Sequence, residues 1–158
     1  MKEFLKSYKA EIIASILCLL GGMLSGYIAD AGDSSWYVSL DKPTFNPPSW
    51  IFGPVWTVLY VMMGWGLGII WKNRFEYKTL LIWFGIEYFF NVSWAPLFFY
   101  FHRIDLALLD LFLMWCSLLI CMILAWRLRA VFMLLLPYMM WTSFAFVLNF
   151  NIYILNAA

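Results

Sequence analysis

Five apolar runs, at residues 10–29, 50–71, 79–101, 105–126 and 131–155, are set apart by short clusters of charge, and they constrain the fold more than anything else in the sequence. At 1.5 Å rise per residue, about twenty residues cross the roughly 30 Å hydrocarbon core of a bilayer, so each run suffices for one crossing. Lipid offers the backbone no hydrogen bonds, and the alternation of a membrane β-barrel is absent, so helices are the expected solution. The expected fold class is an all-α membrane protein, a five-transmembrane-helix bundle with one domain over residues 1–158. Composition agrees: 65% of residues are hydrophobic and 12% charged, against about 25% charged in soluble domains. A net charge of +1 without a basic run leaves no footprint for nucleic acid.

Loop charge sets the expected orientation. Lys2, Lys6, Lys9, Lys72, Arg74, Lys78, Arg127 and Arg129 fall on one side, and Lys42 and Arg103 on the other. By the positive-inside rule the N-terminus is expected in the cytoplasm, with the first loop and the C-terminus extracytoplasmic. The lysines before the first run and Ala29-Asp30-Ala31 also fit a cleavable signal peptide; the reading preferred here is a retained first span. The first loop, residues 30–49, is long and carries Trp36, Tyr37, Pro43, Pro47 and Pro48. Long loops in small proteins are usually functional, and this one is expected to fold over the outer mouth of the bundle.

Polar groups within the spans point inward. Glu87 and Asp110 are costly in lipid and must face the interior or a wet cavity. Counted along their helices they differ in depth by roughly 13 Å, too far for a direct bond. Glu87 is expected either to tie helices together as a neutral, hydrogen-bonded carboxyl or to serve a ligand or proton.

Helical spacing gathers the rest. Glu87, Asn91 and Trp94 share one face of the third span; Tyr138, Trp141, Thr142, Ala145 and Asn149 share one face of the fifth; Trp56, Tyr60 and Gly64 align on the second. Counting puts Trp56, Trp94 and Asn149 within about 10 Å of the outer end, Tyr60, Asn91 and Ala145 at about 15 Å, and Trp141 at about 21 Å. Aromatic and amide groups at matching depths beneath a loop describe an apolar cavity with a few placed polar groups. Trp50, Trp71 and Trp126 stand at span ends, where tryptophans form interfacial belts. Ala14, Cys18, Gly22 and Gly26 make a small-residue stripe, matched by Gly64 and Gly68, that serves packing within the bundle or a homodimer seam. Cys18, Cys116 and Cys121 read as small core residues, His102 as a surface residue, and no metal cluster or hydrolytic triad is visible.

With these residues in view, nearly the whole chain resembles the translocator protein family (TspO/MBR, the tryptophan-rich sensory proteins, peripheral benzodiazepine receptor-like). The resemblance is carried by Lys42-Pro43-x-x-Asn46-Pro47-Pro48-x-Trp50, Gly53-Pro54-Val55-Trp56-Thr57-x-Leu59-Tyr60 and Asn91-x-x-Trp94-x-Pro96-x-Phe98-Phe99. Ala107-Leu108-x-Asp110 and Pro137-Tyr138-x-x-Trp141-x-x-Phe144-Ala145-x-x-Leu148-Asn149 complete it. It implies a five-helix bundle, commonly a homodimer, that binds protoporphyrin IX or a haem-related tetrapyrrole, and in some members sterols or benzodiazepine-type drugs, with no required cofactor. The implied pocket carries over to Tyr37, Trp50, Trp56, Tyr60, Asn91, Trp94, Trp141 and Ala145; Trp36 and Asn149 join the ligand-binding candidates. Some bacterial members degrade protoporphyrin photo-oxidatively, which would make Trp56 and Trp141 the catalytic pair. Tyr153 is followed by no Lys or Arg, so the sterol motif of mammalian members is incomplete.

The expected function is a membrane receptor or sensor in which indoles stack on a tetrapyrrole, Asn91 offers a hydrogen bond, and the propionates point outward near Lys42 or Arg103. The alternatives are a light-dependent porphyrin-degrading enzyme and a small tetrapyrrole or proton-coupled transporter using Glu87. The absence of an inverted repeat weighs against transport.

Overall fold

A computed structural model describes residues 6–29 and 35–157; Lys2, Asp30 and Ala31, which bear on the orientation and signal-peptide expectations, lie outside that set. Five long helices appear where the hydropathy puts them. They are α1 (Lys9–Ile28), α3 (Phe52–Lys72), α4 (Lys78–Ala95), α5 (Ile104–Leu124) and α6 (Arg129–Asn156), and each span begins and ends within two residues of its expected limits. Loop residues form a short helix, α2 (Ser35–Ser39), and a 3-10 turn (Ser49–Ile51) that runs straight into α3. Among the described residues there is no strand.

Neighbours around the bundle run α1–α3–α6–α5–α4 and back to α1. The closest approach is α1 on α3, and two glycines permit it. A Cβ on Gly64 would lie 2.3 Å from the Ser15 Cα, and one on Gly68 2.3 Å from the Glu11 Cα. Backbone therefore lies on backbone, the arrangement that small residues allow between membrane helices. The contact is fastened at two points. Ser15 Oγ donates to the Val61 carbonyl at 3.0 Å, and Lys72 Nζ meets Glu11 Oε1 at 2.6 Å. Within that stripe Ala14, Cys18, Gly64 and Gly68 are thus turned to packing inside the bundle.

The bundle centre is apolar and filled below the middle, with Met63, Ile70, Leu80, Leu118 and Leu135 all shut off from solvent. Cys18 and Cys121 belong to this interior, whereas Cys116 is only half-buried. The outer surface exposes Leu20, Phe89, Ile123 and Met140, which only a hydrocarbon environment would favour. A π turn, Pro96–Tyr100, ends α4. Pro96 has no N–H to return to the Val92 carbonyl, and Ser25 Oγ of α1 occupies that carbonyl instead, at 2.5 Å.

At 28 residues α6 is the longest helix, about 42 Å at the helical rise. Its end reaches the first loop, where Asn156 Nδ2 donates to the Asp41 carbonyl at 2.9 Å and the Asp41 N–H returns a bond to Asn156 Oδ1 at 3.1 Å. Aromatic contacts hold the loop from the other side. Trp36 stacks on His102 with ring centroids 4.2 Å apart, and Tyr37 meets Phe98 and Phe99 edge-on. The expected cover over one mouth of the bundle is present, and its tie to α6 is a side-chain clasp.

Candidate ligand cavity

Beneath that loop lies a cavity of about 730 Å³, within the range of small-molecule sites. Its walls come from all five long helices. On α3, Phe52, Trp56 and Tyr60 succeed one another at one-turn intervals, and the Trp56 and Tyr60 rings stack at 5.6 Å. Asn91 and Trp94 face it from α4, and Trp141, Ala145 and Asn149 from α6. Tyr37 and Trp50 close the loop side. Nine of the ten ligand-binding candidates therefore line one space. Trp36 does not: its ring is taken up by His102 and by the edge of Phe98, so it anchors the loop from outside the cavity.

The wall on α1 was missed by spacing arguments on aromatic residues. Gly22 and Gly26 form it together with Met23 and Ser25. Gly22 has the Tyr60 ring pressed where a Cβ would sit, 2.1 Å away, while a Cβ on Gly26 would meet nothing within 4 Å. The stripe that packs helices at one end of α1 makes room at the other. Glycine recurrence in the first span was the available signal.

Depth expectations hold for Trp94 with Asn149 and for Tyr60 with Asn91, and fail for Ala145 and Trp141. Trp94 Nε1 donates to Asn149 Oδ1 at 3.0 Å, and Tyr60 Oη to Asn91 Oδ1 at 2.9 Å, so each pair shares a level. Trp141 is not the deepest member. Its ring lies 5.9 Å from Phe52, at the loop end of α3, and the α6 residue at the level of Tyr60 and Asn91 is Tyr138, not Ala145. Counting along α6 from its end serves Asn149 but sets Ala145 and Trp141 too deep.

Polar groups are placed with economy. Asn91 Nδ2 donates to Tyr138 Oη at 2.6 Å, and Tyr138 Oη donates to Glu87 Oε1. Glu87 and Tyr138 are fully buried behind the wall, and neither touches the cavity. Asp110 pairs with Ser93 Oγ at 2.7 Å, away from Glu87, as the depth difference requires. Tyr37 Oη donates to Asn46 Oδ1 at 3.2 Å. Burial pushes this phenol above its ordinary range while the Asn46 bond pulls the other way, so it is neutral at physiological pH. Neither cation expected near a ligand carboxylate lines the cavity. Lys42 Nζ caps the Val38 and Leu40 carbonyls over the Tyr37 ring, and Arg103 is held by two bonds to the Asp105 carboxylate.

These features define a class: an integral, multi-pass helical membrane protein with an aromatic chamber inside the bundle, under a loop clasped across one mouth. Residues 14–155 match the TspO/MBR family, and the chain belongs to that family. It is 34% identical over 149 residues to the tryptophan-rich protein TspO of Archaeoglobus fulgidus, covering 93% of this chain and 97% of that one. To the tryptophan-rich protein TspO of Chlorobaculum tepidum it is 37% identical over 145 residues, covering 89% of this chain and 91% of that one. The translocator protein of Bos taurus is 34% identical over 145 residues, covering 88% and 85%.

Proposed function

We propose that the protein is a membrane receptor or sensor that binds a planar tetrapyrrole such as protoporphyrin IX in this cavity. One observation carries the reading: Trp56, Trp94 and Trp141, from three different helices, face a single chamber of about 730 Å³. Flat aromatic walls suit a flat aromatic ligand, which gains dispersion and stacking on both faces. The amides of Asn91 and Asn149 supply the few polar contacts, and among the described residues no cation lines the cavity to hold the carboxylates, which point to the loop mouth and water. The charge bias of the two bundle ends supports a loop face on the extracytoplasmic side and an N-terminus in the cytoplasm. A homodimer, which the resemblance implies, would use a face other than that of Ala14, Gly64 and Gly68.

Titration of the purified protein with protoporphyrin IX tests the proposal. Saturable quenching of tryptophan fluorescence is expected, reduced when Trp56→Phe and Trp141→Phe are combined. Absent quenching, or equal quenching in the double variant, would count against it. Because both indoles line the chamber, a light-dependent degradation of the bound ligand is the second reading. Illumination with and without oxygen tests it, and no absorbing product beyond that of free protoporphyrin would end it.

A further inference from the structure

Behind the cavity wall runs a chain of four polar side chains with a defined direction. Tyr60 Oη donates to Asn91 Oδ1 at 2.9 Å, Asn91 Nδ2 donates to Tyr138 Oη at 2.6 Å, and Tyr138 Oη donates to Glu87 Oε1. Tyr60 and Asn91 line the cavity; Tyr138 and Glu87 are sealed in the core. Each phenol has one proton to give, and in the arrangement present all three bonds run the same way, from Tyr60 toward Glu87. With Glu87 accepting, the Tyr60 proton is committed to Asn91, and Tyr60 turns its lone pairs to the cavity.

The chain has a second consistent state. A carboxylic acid at Glu87 donates to Tyr138 Oη; the Tyr138 proton turns to Asn91 Oδ1 once the amide rotates by half a turn; Asn91 Nδ2 donates to Tyr60 Oη; and the Tyr60 proton is released toward the cavity. No bond other than hydrogen bonds changes, and the one proton gained by Glu87 comes from solvent. A rotated amide keeps its volume, so the core need not repack. We propose that Glu87 is a proton-linked switch of the cavity's hydrogen-bonding polarity, relayed to the ligand through Tyr138, Asn91 and Tyr60. The ionised state receives a ligand N–H or O–H, and the protonated state receives a ligand carbonyl or carboxylate. Two further observations support the assignment. Glu87 Oε2 is buried with no partner, so nothing but Tyr138 holds this carboxyl. Among the described residues the thiols and phenols around it are Cys18 on α1, Tyr60 on α3, Tyr88 on α4, Cys121 on α5 and Tyr138 on α6, and no Lys, Arg or His bonds to the carboxylate. Linkage is reciprocal: an acceptor-bearing ligand must favour the protonated carboxyl as much as protonation favours the ligand.

This deepens the proposed ligand site and rests on it, so the test has a ligand-free arm. Infrared titration of the protein in nanodiscs, with ring-labelled tyrosine, is expected to show a carboxylic-acid carbonyl band disappearing as pH rises, together with a shift of the tyrosine C–O band. Glu87→Gln, which keeps an acceptor for Tyr138, should abolish both, and Tyr60→Phe should remove part of the tyrosine signal alone. A carboxyl that does not titrate, or one that titrates without the Tyr60 component, overturns the switch. In the second arm the probe is protoporphyrin IX dimethyl ester, whose ester carbonyls accept but carry no charge and so, unlike ionised propionates drawn to water at the loop mouth, are free to turn inward to Tyr60. Its affinity should weaken with rising pH, by at most about tenfold per unit for one proton, and become flat in Glu87→Gln. A flat profile in the parent protein with the infrared shifts present overturns the coupling to ligand. Absence of binding at any pH overturns the cavity reading instead, leaving the switch to be judged by the infrared arm.

Discussion

Replacing Gly64 by alanine should loosen the α1–α3 contact and little else. The added Cβ would stand 2.3 Å from the Ser15 Cα and 2.5 Å from its nitrogen. Both are backbone atoms and cannot swing aside. For the approach to grow to the 3.4 Å of an ordinary contact, the helices must separate locally by roughly 1 Å. That carries the Ser15 Oγ bond to the Val61 carbonyl, 3.0 Å in the parent, past hydrogen-bond reach. Overpacking costs about 1–3 kcal/mol and the lost bond about 0.5–1.5, offset by up to about 1 kcal/mol of helix propensity, leaving a net loss of about 0.5–4.5 kcal/mol. Gly85→Ala is the matched control, since its Cβ would meet nothing within 4 Å. It should leave stability unchanged or raise it by up to about 1 kcal/mol. Unfolding in mixed micelles of mild detergent and dodecyl sulfate, followed by far-ultraviolet circular dichroism, measures both variants. Equal midpoints for Gly64→Ala and the parent would refute the claim that backbone contact, rather than side-chain packing, joins α1 to α3.

Gly22→Ala should damage the cavity more than the fold, because its Cβ would sit 2.1 Å from the Tyr60 ring and displace the bond to Asn91; weakened protoporphyrin quenching with a nearly parental unfolding midpoint is the expected result. Asn156→Ala removes both bonds to Asp41, and faster hydrogen exchange confined to residues 35–48 should follow. Ser25→Ala leaves the Val92 carbonyl without the hydroxyl that replaces the missing Pro96 N–H, a loss of about 1–3 kcal/mol readable in the same micelle unfolding assay.

The spans were legible because hydropathy and length answer to the bilayer alone, and no tertiary contact moves a run such as 105–126 out of lipid. Faces were legible for the same reason: Glu87, Asn91 and Trp94 all reach α6, as their spacing requires. What failed depended on how helices stand relative to one another. Trp141 was set too deep because a count along one helix fixes the height of a Cα on that helix, not which residue of a neighbouring helix stands opposite it. Trp36 stands outside the cavity that its loop covers because His102, far away in sequence, supplies a competing stack. The bridge from Lys72 to Glu11 went unforeseen for a similar reason: it joins two helix ends that only folding brings together. The glycines carried more information than spacing could use. Gly64 and Gly22 lie in equivalent patterns, yet one seats a backbone and the other a tyrosine ring.

The central claim is that indoles of α3, α4 and α6 surround one ligand chamber, and a structure of the protein with protoporphyrin IX tests it most directly. The account predicts macrocycle density between Trp56, Trp94 and Trp141, beneath Tyr37 and Trp50. Density on the lipid-facing groove beside Pro54 and Pro137, with the inner chamber empty or filled by rearranged side chains, would contradict it.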